Sequence, residues 1–124
     1  MVKILVVDDS KAARMLLTSL LTEYDKSIIL LEASNGQEGL SLFKENQPDI
    51  TFLDLTMPVM DGYEALEKMK AFDSEKKVII LTADIQTKAR ERCQALGADG
   101  MLKKLPQKEE LFASLDKIIK GGKL

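Results

Sequence analysis

Two kinds of segment alternate along the chain. Short apolar runs, several with β-branched residues, occupy residues 4–7, 28–31, 50–53 and 78–81, and a weaker one covers 101–102. Near-continuous runs of this length are expected of strands buried on both faces of a parallel sheet. Between them lie longer segments whose apolar residues recur at three- and four-residue spacing, the signature of a helix with one buried face. Met15, Leu16, Leu20 and Leu21 form one such stripe. Leu40 with Phe43, Leu66 with Met69, Ala89 with Leu96, and Leu111 with Leu115, Ile118 and Ile119 form the others.

Helix start and stop signals fall between the runs. Ser34 followed by Gln37 has capping-box spacing, and Asp61 followed by Glu64 has the same spacing with an acidic cap. Pro106 with Glu109 and Glu110 suits a first helical turn. Gly97 fits a helix C-terminus, and Gly121-Gly122 would end the last helix. The resulting order is β-α-β-α-β-α-β-α-β-α. A helix in every crossover predicts an open, doubly wound α/β fold with a five-stranded parallel sheet and five helices, spanning 1–124 as one domain.

Composition narrows the chemistry. The 124 residues include no His, no Trp and one Cys, so a His-based triad, a His zinc site and a disulfide framework are all excluded. The net charge of −2 and the lack of a basic block argue against direct nucleic-acid binding. No apolar run is long enough to span a bilayer. The apolar start at 2–7 is cut off by Asp8 and Asp9, so no export signal is expected, and the expected compartment is the cytoplasm.

In an open parallel sheet, ligands bind at the edge where the strands end. The first run ends in Asp8-Asp9, the third in Asp54, the fourth in Thr82 and the fifth in Lys103-Lys104. Three carboxylates brought together repel one another unless a cation joins them. Lys104 supplies one positive charge. An all-oxygen donor set suits a hard ion, Mg2+ or Mn2+, for the remainder. A hydroxyl, an ammonium and a metal on one rim form a site that holds a phosphoryl group, and a carboxylate can itself accept that group. Asp54 is the candidate acceptor, because it stands between the acidic pair and Lys104 in the inferred sheet.

These residues also carry a resemblance. Val6-Val7-Asp8-Asp9-Ser10, the stretch from Leu53 and Asp54 through Met57-Pro58 to Asp61-Gly62, Leu81-Thr82-Ala83, and Gly97-Ala98-Asp99-Gly100 through Lys104 resemble the response regulator receiver domains of two-component signalling. The resemblance covers essentially the whole chain and implies a flavodoxin-like strand order, 2-1-3-4-5. It further implies that Asp54 is phosphorylated with Mg2+ as cofactor. The metal would be held by Asp8, Asp9, Asp54 and the backbone carbonyl of Thr56. Thr82 and the Ala83 N–H would contact phosphoryl oxygens, and Lys104 would pair with another. Implied partners are a sensor histidine kinase or phosphotransfer protein as donor and a downstream protein as target, with the domain a monomer or weak dimer. Output would be protein binding, as in chemotaxis-type regulators, or a phosphorelay step, since the chain stops after the fifth helix.

Two positions depart from the family pattern. Met101 stands where the family usually carries Tyr or Phe at its switch position. Leu105 follows Lys104 where the family usually has Pro, commonly through a cis bond; Lys104 is nevertheless expected to reach the site. Thr56 and Asp84 occupy positions that vary with phosphoryl lifetime, and Asp84 also suits a helix N-cap. Lys88, Arg90 and Arg92 form either a docking face or a solvated one. Cys93 reads as a packing residue. Asn35-Gly36 and Asp61-Gly62 read as turns and caps.

Two other functions remain open from the residues. A Mg2+-dependent phosphohydrolase with an Asp nucleophile would use a similar inventory, although it normally needs a second Asp at the position of Thr56 and a nucleophile on the first strand. A receiver-like scaffold that binds partners without phosphorylation would keep the same pocket unused.

Overall fold

The computed structural model describes residues 1–83 and 85–120, so the expectations for Asp84 and for Gly121-Gly122 lie outside the described residues. The elements follow in strict alternation: β1 (Lys3–Val7), α1 (Lys11–Tyr24), β2 (Ile29–Ala33), α2 (Gly36–Asn46), β3 (Ile50–Asp54), α3 (Gly62–Phe72), β4 (Lys77–Thr82), α4 (Thr87–Ala95), β5 (Gly100–Lys103) and α5 (Lys108–Ile119). All neighbouring strands pair in parallel, in the order β2-β1-β3-β4-β5. This is the doubly wound sheet the alternating pattern predicts.

Period-two alternation along the strands sorts the core into two layers. Leu5, Val7, Leu53, Val78 and Ile80 face one side and pack with Leu40 and Phe43 of α2, Ala65, Leu66 and Met69 of α3, and Cys93 of α4. Ile4, Val6, Ile50, Phe52, Ile79, Leu81 and Leu102 face the other and pack with Leu17 and Leu21 of α1 and Leu111, Leu115 and Ile118 of α5. The three central strands are buried along nearly their whole length, whereas β2 is largely half-buried or exposed up to Ala33. Its apolar run is not doubly buried, because an edge strand has a neighbour on one side only.

Several local expectations shift by a residue or a face. In α1 the buried stripe is Ala13, Leu17 and Leu21, spaced four apart, while Met15 and Leu16 are 59% and 52% exposed. Ile119, grouped with the α5 stripe, is likewise exposed. The cap of α2 is Asn35, not Ser34; its side chain accepts from the Glu38 N–H at 2.8 Å. Asp61 caps α3 as expected, accepting from Glu64 N–H at 2.9 Å. Pro106 stands ahead of the α5 cap, Gln107, although Glu109 and Glu110 do occupy the first turn. Gly97 follows the C-cap Leu96 at φ +95°, a conformation that favours glycine.

At the edge of the sheet away from those strand ends, buried Asp99 ties three segments together. Its carboxylate accepts from Lys70 Nζ at 2.7 Å and from the Val78 N–H at 2.9 Å, and its own N–H donates to the Val78 carbonyl at 2.8 Å. The β5 start is thereby pinned to β4 and to the end of α3.

One buried polar atom lacks this kind of satisfaction. Thr51 Oγ1, near the start of β3, is the buried side-chain polar atom without a hydrogen-bond partner among the described residues. An orphaned hydroxyl costs about 1–3 kcal/mol. Thr51→Val keeps the β-branched shape and removes that cost. Urea denaturation should therefore show equal or higher stability, by up to about 1–2 kcal/mol, with an unchanged m value. A clear loss of stability would mean that the hydroxyl has a partner.

Candidate functional site

The strand order sets the ends of β1, β3, β4 and β5 along one edge, and each contributes a polar group there. Asp8 and Asp9 follow β1, Asp54 ends β3, Thr82 ends β4, and Lys104 comes directly after β5. One carboxylate oxygen each from Asp8, Asp9 and Asp54 lies within 4.8 Å of the others. Asp8, Asp54 and Thr82 are buried, whereas Asp9 is exposed.

Short-range bonds fix the buried members. The Ser10 N–H donates to Asp8 Oδ1 at 2.9 Å, and Ser10 Oγ caps α1 by accepting from the Ala13 N–H at 3.2 Å. Asp54 Oδ1 accepts from the Leu55 N–H at 2.9 Å. Lys104 Nζ bridges the two carboxylates, at 2.7 Å from Asp8 Oδ2 and 3.4 Å from Asp54 Oδ2. The Lys104–Leu105 peptide is cis, and the Lys104 N–H donates to the Thr82 carbonyl at 2.8 Å. Lys104 thus reaches the site although Leu105 takes the place of the family's usual Pro.

The electrostatics are those of crowded like charges. Burial pushes the Asp54 carboxyl above its ordinary value, the Asp8 charge adds to this, and Lys104 opposes both. Burial alone would lower the Lys104 ammonium, but its bond to Asp8 and the charges of Asp54 and Asp8 outweigh that and raise it. Three carboxylates against one ammonium leave an excess of negative charge. All the donors are oxygen, so the residues present fit a hard divalent ion better than a soft one.

The loop from Leu55 to Asp61 closes over this edge. Its end turns so tightly that Gly62 donates to the Leu55 carbonyl at 2.9 Å, and a Cβ there would strike the Asp54 carbonyl oxygen. Within the loop, the Met60 N–H donates to the Pro58 carbonyl at 2.7 Å across Val59, which sits at φ 69°. That three-residue turn holds a β-branched residue in a conformation it disfavours. Thr56 lies exposed in the same loop, two residues past Asp54. Ala83 is exposed just beyond Thr82.

The remaining candidates lie farther out. Met101 is half-buried in β5, opposite Ile80, and packs against the α2–α4 side of the core. Cys93 is buried as a packing residue, and burial pushes its thiol up, away from reactivity. The Arg92 guanidinium lies over the Tyr63 ring, 3.8 Å from its centroid, and so links α4 to α3, while Lys88 and Arg90 are exposed. Arg14 is not singled out by any sequence signal, because an arginine inside a helix carries no motif. Its guanidinium nevertheless reaches the backbone of Asp8.

Comparison with known proteins agrees with this geometry. The model of the response regulator receiver domain matches residues 4–116. The chain is 34% identical over 117 residues to the chemotaxis protein CheY of Halobacterium salinarum, covering 94% of this chain and 96% of that protein. It is 37% identical over 122 residues to the transcriptional regulatory protein YdfI of Bacillus subtilis, covering 98% of this chain and 57% of that protein. Among solved structures, the CheY of a CheX–CheY–BeF3–Mg2+ complex from Borrelia burgdorferi superposes with a TM-score of 0.89 at 28% identity, covering 95% of this chain and 89% of that one. No helix among the described residues is long and apolar enough to cross a membrane. The position of Asp54 on β3 instead of β1, together with these matches, sets the phosphohydrolase alternative aside. The chain belongs to the response regulator receiver family, and its Asp8, Asp9 and Asp54 form the acidic, Mg2+-binding site of a phospho-accepting switch.

Proposed function

We propose that the chain, as one receiver unit over 1–124, takes a phosphoryl group onto Asp54 from a phosphohistidine on a sensor kinase or phosphotransfer protein in the cytoplasm. The observation that carries this reading is the bridge of Lys104 between Asp8 and Asp54 at the sheet edge. An Asp54 oxygen attacks phosphorus, the P–N bond to the donor imidazole breaks, and the leaving nitrogen takes a proton. Asp8, Asp9, Asp54 and the Thr56 carbonyl would hold Mg2+, which supplies charge neutralisation for the transferring group. The Thr82 hydroxyl and the Ala83 N–H serve as donors to phosphoryl oxygens, and Lys104 pairs with a third. Among these groups Lys104 neutralises most directly, since it already sits on the acceptor carboxylate. As these 124 residues contain no His, the donor histidine lies outside them.

The similarity to the chemotaxis protein CheY of Halobacterium salinarum supports an output through binding to a downstream protein, with Met101 at the switch position. Thr56 and Asp84 are the positions at which phosphoryl lifetime is tuned.

The test is intact-mass spectrometry after incubation with a small acyl phosphate, with Mg2+ or with EDTA. Wild type should gain one phosphoryl group only with Mg2+, and Asp54→Asn should gain none. No gain in either protein, repeated with a stable phosphoryl mimic, would move the reading to a scaffold that binds partners unphosphorylated.

The same variant reports on the charge crowding. The Asp54 pKa is raised in the folded state above the ordinary 3.8, so the folded protein holds this proton more tightly than the unfolded chain. The stability it contributes is present below the unfolded value and lost as pH rises through the folded one. At neutral pH the ionised Asp54 is therefore a net cost in the metal-free protein. Asp54→Asn should raise Tm in EDTA at neutral pH by a few degrees. That gain should shrink as pH falls toward the ordinary carboxylate range. A variant less stable than wild type at neutral pH would contradict the sign.

A further inference from the structure

Arg14 lies one turn into α1, four residues after the Ser10 cap, and its side chain is 16% exposed. Its Nη1 donates to the backbone carbonyl of Asp8 at 2.5 Å, and its Nε donates to the Glu32 carboxylate at 3.1 Å. Asp8 is the first residue past the end of β1. Its N–H still bonds across to the Ala33 carbonyl of β2 at 3.0 Å, but its own carbonyl lies beyond the strand ladder and takes the guanidinium instead. That carbonyl belongs to the peptide that joins Asp8 to Asp9. A rotation of this peptide would re-aim Asp9, whose exposed side chain is directed only by the backbone that carries it. It would also displace the Ser10 N–H from the Asp8 carboxylate.

We propose that Arg14, itself held by Glu32, is a positioning residue for the divalent-cation site: its guanidinium fixes the Asp8–Asp9 peptide so that both carboxylates face Asp54. The planar fork matters here, because one side chain must reach a carbonyl and a carboxylate at the same time. This inference rests on the reading of the acidic cluster as a cation site.

The competing account is that Arg14 is only a charge near the cluster, paired with Glu32. The two accounts differ in sign. Removing a bare positive charge beside three carboxylates must tighten binding of a cation. Removing a positioning contact must weaken it. Calorimetric titration of Mg2+ into metal-free wild type, Arg14→Ala and Arg14→Lys at one ionic strength separates them, with Tm in EDTA recorded for each. Arg14→Ala should bind Mg2+ about tenfold more weakly, the scale seen when a group that orients a metal ligand is lost. Arg14→Lys keeps the charge but cannot span both acceptors, and should also bind more weakly than wild type.

Unchanged or tighter binding in a folded Arg14→Ala would overturn the proposal. Should that variant fail to fold, wild-type affinity in Arg14→Lys would overturn it just as well. A wild type that binds no Mg2+ would instead overturn the cation reading, and this inference with it. The wild-type titration therefore tells the two failures apart.

Discussion

The structure is organised around a repulsion. Asp8 and Asp54 are buried side by side at the end of two adjacent central strands, and Lys104 Nζ lies between them. Two buried carboxylates without a counter-ion would take up a proton or spread apart. The groups around them hold the pair close, and Lys104 opposes part of the rise that burial and Asp8 impose on the Asp54 carboxyl. Backbone N–H groups of Ser10 and Leu55 hold one oxygen of each, and the ammonium takes the other. The Lys104 backbone is tied to the Thr82 carbonyl at the end of β4. The excess negative charge that remains is what makes the pocket receptive to a dication and then to a phosphoryl group.

Much of this was legible in the sequence because it follows from topology. Alternating strand and helix segments imply a parallel sheet, and a parallel sheet brings the residues after each strand to one edge. Asp8, Asp54, Thr82 and Lys104 could therefore be grouped without a structure. Features set by tertiary contact were harder to read. Met15 and Leu16 are apolar but exposed, and the buried stripe of α1 runs through Ala13, Leu17 and Leu21. Hydrophobicity alone cannot choose between overlapping stripes when one of them contains an alanine. The α2 cap was ambiguous for a similar reason, because Ser34 with Gln37 has capping-box spacing while Asn35-Gly36 also reads as a cap, and Asn35 is the one that caps. Arg14 was invisible, since its acceptor is a backbone carbonyl.

The loop after β3 shows how the site's precision is obtained. Gly62 lets α3 begin in contact with the backbone of Asp54 and Leu55, and Val59 is held at positive φ by its neighbours. Strain of this kind persists only when the surroundings over-determine the conformation. Here the surroundings are the buried side chains of Met57 and Met60 on either side of it and the Asp61 cap just beyond. The loop backbone is thereby fixed where it leaves Asp54.

The acidic edge and the β5–α4 side of the molecule rest on different kinds of interaction. The pocket is held by charges and directional hydrogen bonds, which tolerate little change. Met101 and Cys93, by contrast, join β5 and α4 to the core through aliphatic and sulfur contacts that adapt to small shifts. Cys93 is the buried residue of α4, and the helix has no side-chain cap at its N-terminus. Other ties of this helix include the Arg92 guanidinium over Tyr63 and the partly buried Ala89. An element anchored so lightly is cheaper to displace than α3, which buries Gly62, Ala65, Leu66 and Met69. Met101 therefore lies on this softer side of the core, opposite Ile80, and not among the charges of the acidic edge.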